Sequence, residues 1–163
     1  MKKFKLVWLL IFVILMIVAM KFQWNQLNKN VKEGIVKLEL AKTQEEAKNI
    51  TADWNIEGAI DNTYLDTLFI ISYVMFLFAA VYRTGDMLKG WGNYFKYFAW
   101  LAPIGGIFDF AENYKMILYL EDANDYHSSY SVSIIKWGIA IGLFFLFVLL
   151  SCWVNDQQRN IAK

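Results

Sequence analysis

The chain has 163 residues, 58% hydrophobic and 19% charged, with 16 basic against 15 acidic side chains and a net charge of +1. A water-soluble domain is less apolar and carries more charge; the near-neutral balance gives no footprint for a polyanion, and the single Cys152 closes no intrachain disulfide and builds no zinc site by itself. A secreted disulfide scaffold, a disordered tail and a nucleic-acid binder are thereby excluded. The apolar residues gather instead into four long runs separated by charged connections, as a bilayer requires.

The expected fold is all-α: a four-helix transmembrane bundle forming one membrane domain over residues 1–163. Its spans cover about 4–22, 64–82, 94–120 and 131–154, with an extracytoplasmic amphipathic helical segment at 23–62. The first run, Leu6 to Met20, follows Met1-Lys2-Lys3-Phe4-Lys5, a basic start that also suits a signal peptide. Lys21-Phe22-Gln23-Trp24 stands where a small-residue cleavage site would be, so the run reads as an uncleaved anchor.

In the outer segment, Leu27, Val31, Ile35 and Leu38 recur at helical spacing, with Lys32, Glu33 and Lys37 on other faces, as in a helix that lies on the membrane or caps the bundle. Thr43-Gln44-Glu45-Glu46 matches a capping box and predicts a second short helix running to Trp54.

Aromatic residues mark the ends of the later spans: Trp91, Tyr94 and Tyr97 open the third, Tyr119 closes it, and Trp153 closes the fourth. Lys2, Lys3, Lys5, Arg83, Lys89, Lys96, Arg159 and Lys163 fall at one set of ends, while Glu121-Asp122-Ala123-Asn124-Asp125 holds no basic residue. The positive-inside rule then places both termini in the cytoplasm, and the cell's inner membrane is the expected location.

The spans contain charge. Asp66 lies early in the second, Asp109, Glu112 and Asn113 in the third, and Lys136 early in the fourth, although one ionised group at membrane depth costs about 2.5 kcal/mol or more. Asp109, Glu112 and Asn113 stand at i, i+3 and i+4 on one helical face. At 1.5 Å per residue, all of these residues lie roughly 6–16 Å from the outer ends of their spans, so they overlap in depth. Lys136 can pair with one carboxylate, and Tyr73, two turns deeper than Asp66, can extend the polar column. Pro103 followed by Gly105-Gly106 predicts a kink just before Asp109, and Gly138 with Gly142 predicts close helix packing within the bundle or between protomers. His127 reads as a solvent-exposed loop residue, since no serine partner, HExxH pattern or cysteine pair accompanies it.

Leu65-Asp66-Thr67-Leu68-Phe69-Ile70-Ile71-Ser72-Tyr73 and Gly106-Ile107-Phe108-Asp109-Phe110-Ala111-Glu112-Asn113 resemble the LDxxFxxxY and GxxDxxEN patterns of a family of small bacterial four-span membrane proteins, mostly of unassigned function. Leu38-Glu39-Leu40-Ala41, the stretch from Ala47 to Trp54, and Lys136-Trp137 resemble other parts of the same family. The resemblance implies the four-span topology and marks the same polar residues. It implies no reaction, substrate or cofactor.

Asp66, Tyr73, Asp109, Glu112, Asn113 and Lys136 are thus the candidate ligand-binding set, and three acids against one lysine leave a surplus for a cation, a proton, or the polar head of an amphipathic small molecule or lipid. The alternative is a structural or accessory membrane subunit in which the same residues are interhelical glue. An intramembrane lipid-modifying enzyme, with paired carboxylates sharing acid and base duties, is the weaker alternative. No catalytic residue, metal or cofactor is assigned. The partners expected are the lipid bilayer and a small-molecule, lipid or cation ligand, with a second copy or another membrane protein left open.

Overall fold

A computed structural model describes residues 10–11, 13–15, 17–19, 21–22 and 35–161, and every regular element among them is helical. The described positions within 10–22 are helical and form α1. Then come α2 (Ile35–Glu39), α3 (Gln44–Thr51), α4 (Ile56–Met87), a 3-10 helix (Gly90–Trp100), α5 (Leu101–Glu121) and α6 (Tyr130–Ile161). The basic residues Lys2, Lys3, Lys5 and Lys163, and the apolar positions Leu27 and Val31 of the outer segment, lie outside the described residues.

Among the described residues, two helices, α4 and α6, are long and apolar enough to cross a membrane. Each has 32 residues, which at a rise of 1.5 Å is about 48 Å, well beyond a hydrocarbon core of roughly 30 Å. On α6, Ile134, Ile141, Phe145, Leu149 and Trp153 are exposed, so much of that helix presents an outward apolar surface.

The stretch expected to be one long third span is divided. Its first part is the 3-10 helix, and only from Leu101 does the chain take α-helical form. At three residues per turn, side chains at i and i+3 stand in one row. Trp91, Tyr94, Tyr97 and Trp100 occupy such a row, and all four are exposed. The division also corrects the expectation at Pro103. That residue is the third of α5, in the first turn, where backbone N–H groups have no partner within the helix, so it removes no α-helical hydrogen bond and breaks no helix interior.

The main core is built from α4, the 3-10 helix, α5 and α6, with Phe76, Leu77, Val81, Ala99, Ala102, Leu143 and Leu150 buried together. A second cluster joins α2 and α3 to the far end of α5 through Leu38, Ala47, Trp54, Ala59, Met116 and Tyr119. Thr43 caps α3 as expected, accepting from the Glu46 N–H at 3.2 Å, while the Glu46 carboxylate accepts from the Lys42 N–H at 2.8 Å. The cap is fastened to the connection before α6: Gln44 Nε2 donates to the Ala123 carbonyl at 2.6 Å, and Tyr126 Oη and Ser128 Oγ donate to the Ala41 carbonyl. Burial pushes the Tyr126 phenol above its ordinary pKa, so it remains a neutral donor in that contact.

The glycines divide by what lies beside them. A Cβ on Gly85 would stand 2.5 Å from the backbone nitrogen of Lys96, and one on Gly106 would stand 2.8 Å from Val74 Cγ2, so both mark close approaches of neighbouring elements. Gly138 and Gly142 face open space, which corrects the expectation that they pack helices together within the bundle. Gly85→Ala is therefore expected to destabilise by about 1–3 kcal/mol through a backbone clash. Gly142→Ala is expected to be neutral or to stabilise by about 0.5–1 kcal/mol through helix propensity. Thermal unfolding of the two variants in one detergent checks the contrast, and equal loss in both would refute it.

A buried ion cluster beside an apolar cavity

All six sequence-nominated residues converge. Lys136, seven residues into α6, directs its ammonium inward, where Nζ donates to Asp109 Oδ1 at 2.7 Å and to Glu112 Oε1 at 2.9 Å. Asp109 Oδ2 accepts from Tyr73 Oη at 2.7 Å. One turn along α5, Asn113 Nδ2 donates to Asp66 Oδ2 at 2.8 Å. The helical spacing on α5 thus sends Asp109 and Glu112 toward α6 and Asn113 toward α4, and the chain of contacts ties three helices together.

Three participants, Glu39, Ser129 and Ser133, were not among the candidates. Glu39, the last residue of α2, brings Oε2 to 3.4 Å from Lys136 Nζ, and that oxygen accepts no hydrogen bond among the described residues. Ser133 Oγ lies 2.9 Å from Glu112 Oε2 and 3.1 Å from the Glu39 carbonyl, and Ser129 Oγ donates to that same carbonyl at 3.0 Å. Ser129, Ser133 and Lys136 follow at spacings of four and three, a polar stripe legible in the sequence. Glu39 carried a weaker signal, an acid inside the otherwise apolar Leu38-Glu39-Leu40-Ala41.

The burial is deep. Glu112 has no exposed surface, and Glu39, Asp109 and Lys136 retain 6%, 5% and 7%. An ammonium in such surroundings needs its partners, because an uncompensated charge out of water costs several kcal/mol. Three carboxylates, those of Glu39, Asp109 and Glu112, lie within 3.4 Å of this cation, and Asp66 stands beside them, held by Asn113.

Beside the cluster lies a cavity of about 600 Å³. Its polar lining is Glu39, Asp66, Tyr73, Asp109 and Lys136, and the rest is apolar, including Phe69, Phe76 and Leu77 of α4 and Ala140, Phe144 and Phe145 of α6. Leu10 and Val13 of α1 form a further wall. Phe76 and Phe147 pair edge to face at 6.2 Å, ten residues beyond Asp66 and eleven beyond Lys136, so α4 and α6 run alongside in the same direction. The charged groups therefore gather at one end of the cavity. The aromatic wall extends about 14 Å from Lys136 to Phe145 at the helical rise. Leu10, Ile141, Phe144 and Phe145 are exposed as well as lining, so the cavity opens sideways between α1 and α6.

Among the nominated residues, Asp66, Tyr73, Asp109 and Lys136 line this space, whereas Glu112 and Asn113 stand behind it. His127 lies away from it, exposed, with Nε2 3.0 Å from Asp125 Oδ1. No group of three histidine, cysteine or acidic residues suited to a metal ion occurs among the described residues. In comparisons with known proteins, the chain matches no family model, no curated protein and no solved structure.

Proposed function

We propose that the chain is a four-span inner-membrane protein with both termini in the cytoplasm, and that its cavity binds an amphipathic small molecule or lipid taken in from the hydrocarbon. The observation that carries this reading is the shape and chemistry of the cavity: an apolar channel, open sideways through exposed apolar side chains, ending at buried charged groups. Ligand pockets characteristically pair a mostly apolar lining with a few converging polar groups, and about 600 Å³ falls within their ordinary range. The four-span bacterial family suggested by the two motifs gives the same residues, and membership in it is part of the proposal. An amphiphile is favoured over a bare cation because most of the lining is apolar and offers no ligand atoms.

Structural glue is the second reading, and the full burial of Glu112 away from the cavity favours it for that residue. Native mass spectrometry with lipid analysis on protein extracted gently from its own membrane separates the two, with wild type beside Asp109→Asn/Glu112→Gln. A small molecule retained by wild type and lost from the still-folded variant is expected. An empty wild type, together with a large loss of stability in the variant, would leave glue as the role.

A further inference from the structure

We infer that the head group received at the polar end of the cavity is a protonated amine, carried on an apolar chain or ring and held by Glu39 and Asp66. The inference rests on the binding reading above and adds the sign and hydrogen-bonding character of the ligand.

Three carboxylates, those of Glu39, Asp66 and Asp109, line the cavity against one ammonium, so the polar end carries a surplus of negative charge when ionised. Lys136 cannot serve an anionic head without giving up internal partners, because its hydrogen bonds are committed to Asp109 and Glu112 and its remaining side faces Glu39. Asp109 is also committed, through one oxygen to Lys136 and the other to Tyr73. The spare capacity lies elsewhere. Glu39 is 6% exposed and lines the cavity, and its Oε2, although 3.4 Å from Lys136 Nζ, accepts no hydrogen bond among the described residues. Among the described residues, Asp66 accepts from Asn113 alone, at one oxygen.

A buried carboxylate oxygen that lacks a hydrogen bond is costly even beside a cation, and a charge-assisted N–H bond is the strongest remedy that leaves it ionised. An amine supplies both the positive charge and the N–H groups. A phosphate, sulfate or carboxylate head would add acceptors where donors are lacking. The aromatic wall of Phe69, Tyr73 and Trp137 suits a cation further, since ring faces attract positive charge.

The test measures binding of dodecylamine, dodecyltrimethylammonium, dodecanol and dodecanoate to purified full-length protein in nanodiscs of neutral lipid at pH 7, with Ala140→Phe as the control for partition outside the cavity. Dodecylamine is expected to bind at least tenfold more tightly than each of the other three, and Glu39→Gln and Asp66→Asn are each expected to abolish that preference while retaining the fold. Cavity-dependent binding in which dodecanoate or dodecanol matches dodecylamine would overturn the amine inference and leave the binding reading standing. Equal binding of dodecyltrimethylammonium would likewise overturn it, because that head has charge but no N–H. If no amphiphile binds in a way that Ala140→Phe alters, both the inference and the reading beneath it fail.

Discussion

Lys136→Met is expected to destabilise the protein by about 3–5 kcal/mol, the loss seen when one partner of a buried charge group is removed. Methionine retains the length and apolar stem of the side chain, so packing changes little. What disappears is the cation that Asp109 and Glu112 contact at 2.7 and 2.9 Å and that Glu39 faces at 3.4 Å. With those acids left in place, the fold must either bury uncompensated negative charge or bind protons. A triple variant, Lys136→Met with Asp109→Asn and Glu112→Gln, removes most of that conflict and is expected to recover a large part of the loss, because contacting residues are not additive. Chemical or thermal unfolding in one detergent measures both. A loss below about 1 kcal/mol in the single variant would mean that the cluster is not the joint between α5 and α6.

The second large effect is on binding rather than stability. Ala140 lines the cavity beside Trp137 and Phe144, and a phenyl group placed there occupies space a ligand's apolar portion would need. Ala140→Phe is expected to weaken ligand retention at least tenfold, about 1.4 kcal/mol or more, while leaving unfolding close to wild type because the added ring enters an existing cavity. Retention by native mass spectrometry and unfolding of the same preparation decide the matter. Undiminished retention would place the ligand outside this cavity. The opposite signatures of Lys136→Met and Ala140→Phe separate the ion cluster's structural contribution from the cavity's capacity to bind.

Much of this centre could be read before any coordinates, because charge inside an apolar run is conspicuous and helical periodicity is strict. Spacing alone puts Asp109, Glu112 and Asn113 on one face, and Lys136 stands early in the next apolar run. The division of labour was not legible: spacing cannot say that Glu112 lies behind the cavity while Asp109 lines it, since that depends on how α5 is rotated between its neighbours. Glu39 escaped notice because it sits in a five-residue helix outside the apolar runs, where an acid ordinarily faces water. Only the folding of the cap onto α6, through Ser129 and Ser133, carries it inward. Pro103 misled for a related reason. A proline's effect depends on its distance from the helix start, and the 3-10 segment moved that start to Leu101.

The winding of that segment also acts as a sorting device. From Trp91 to Trp100 is nine residues, which at three per turn returns the chain to the same azimuth, whereas α-helical winding makes about 2.5 turns and sets the two indoles on opposite sides. Gly92 has no room for a Cβ, which would fall 2.7 Å from that of Leu88. The tight coil thus aligns four rings along a single meridian, and rewinding it to α-helical pitch, by about 20° per residue, would scatter them around the circumference without changing a single amino acid.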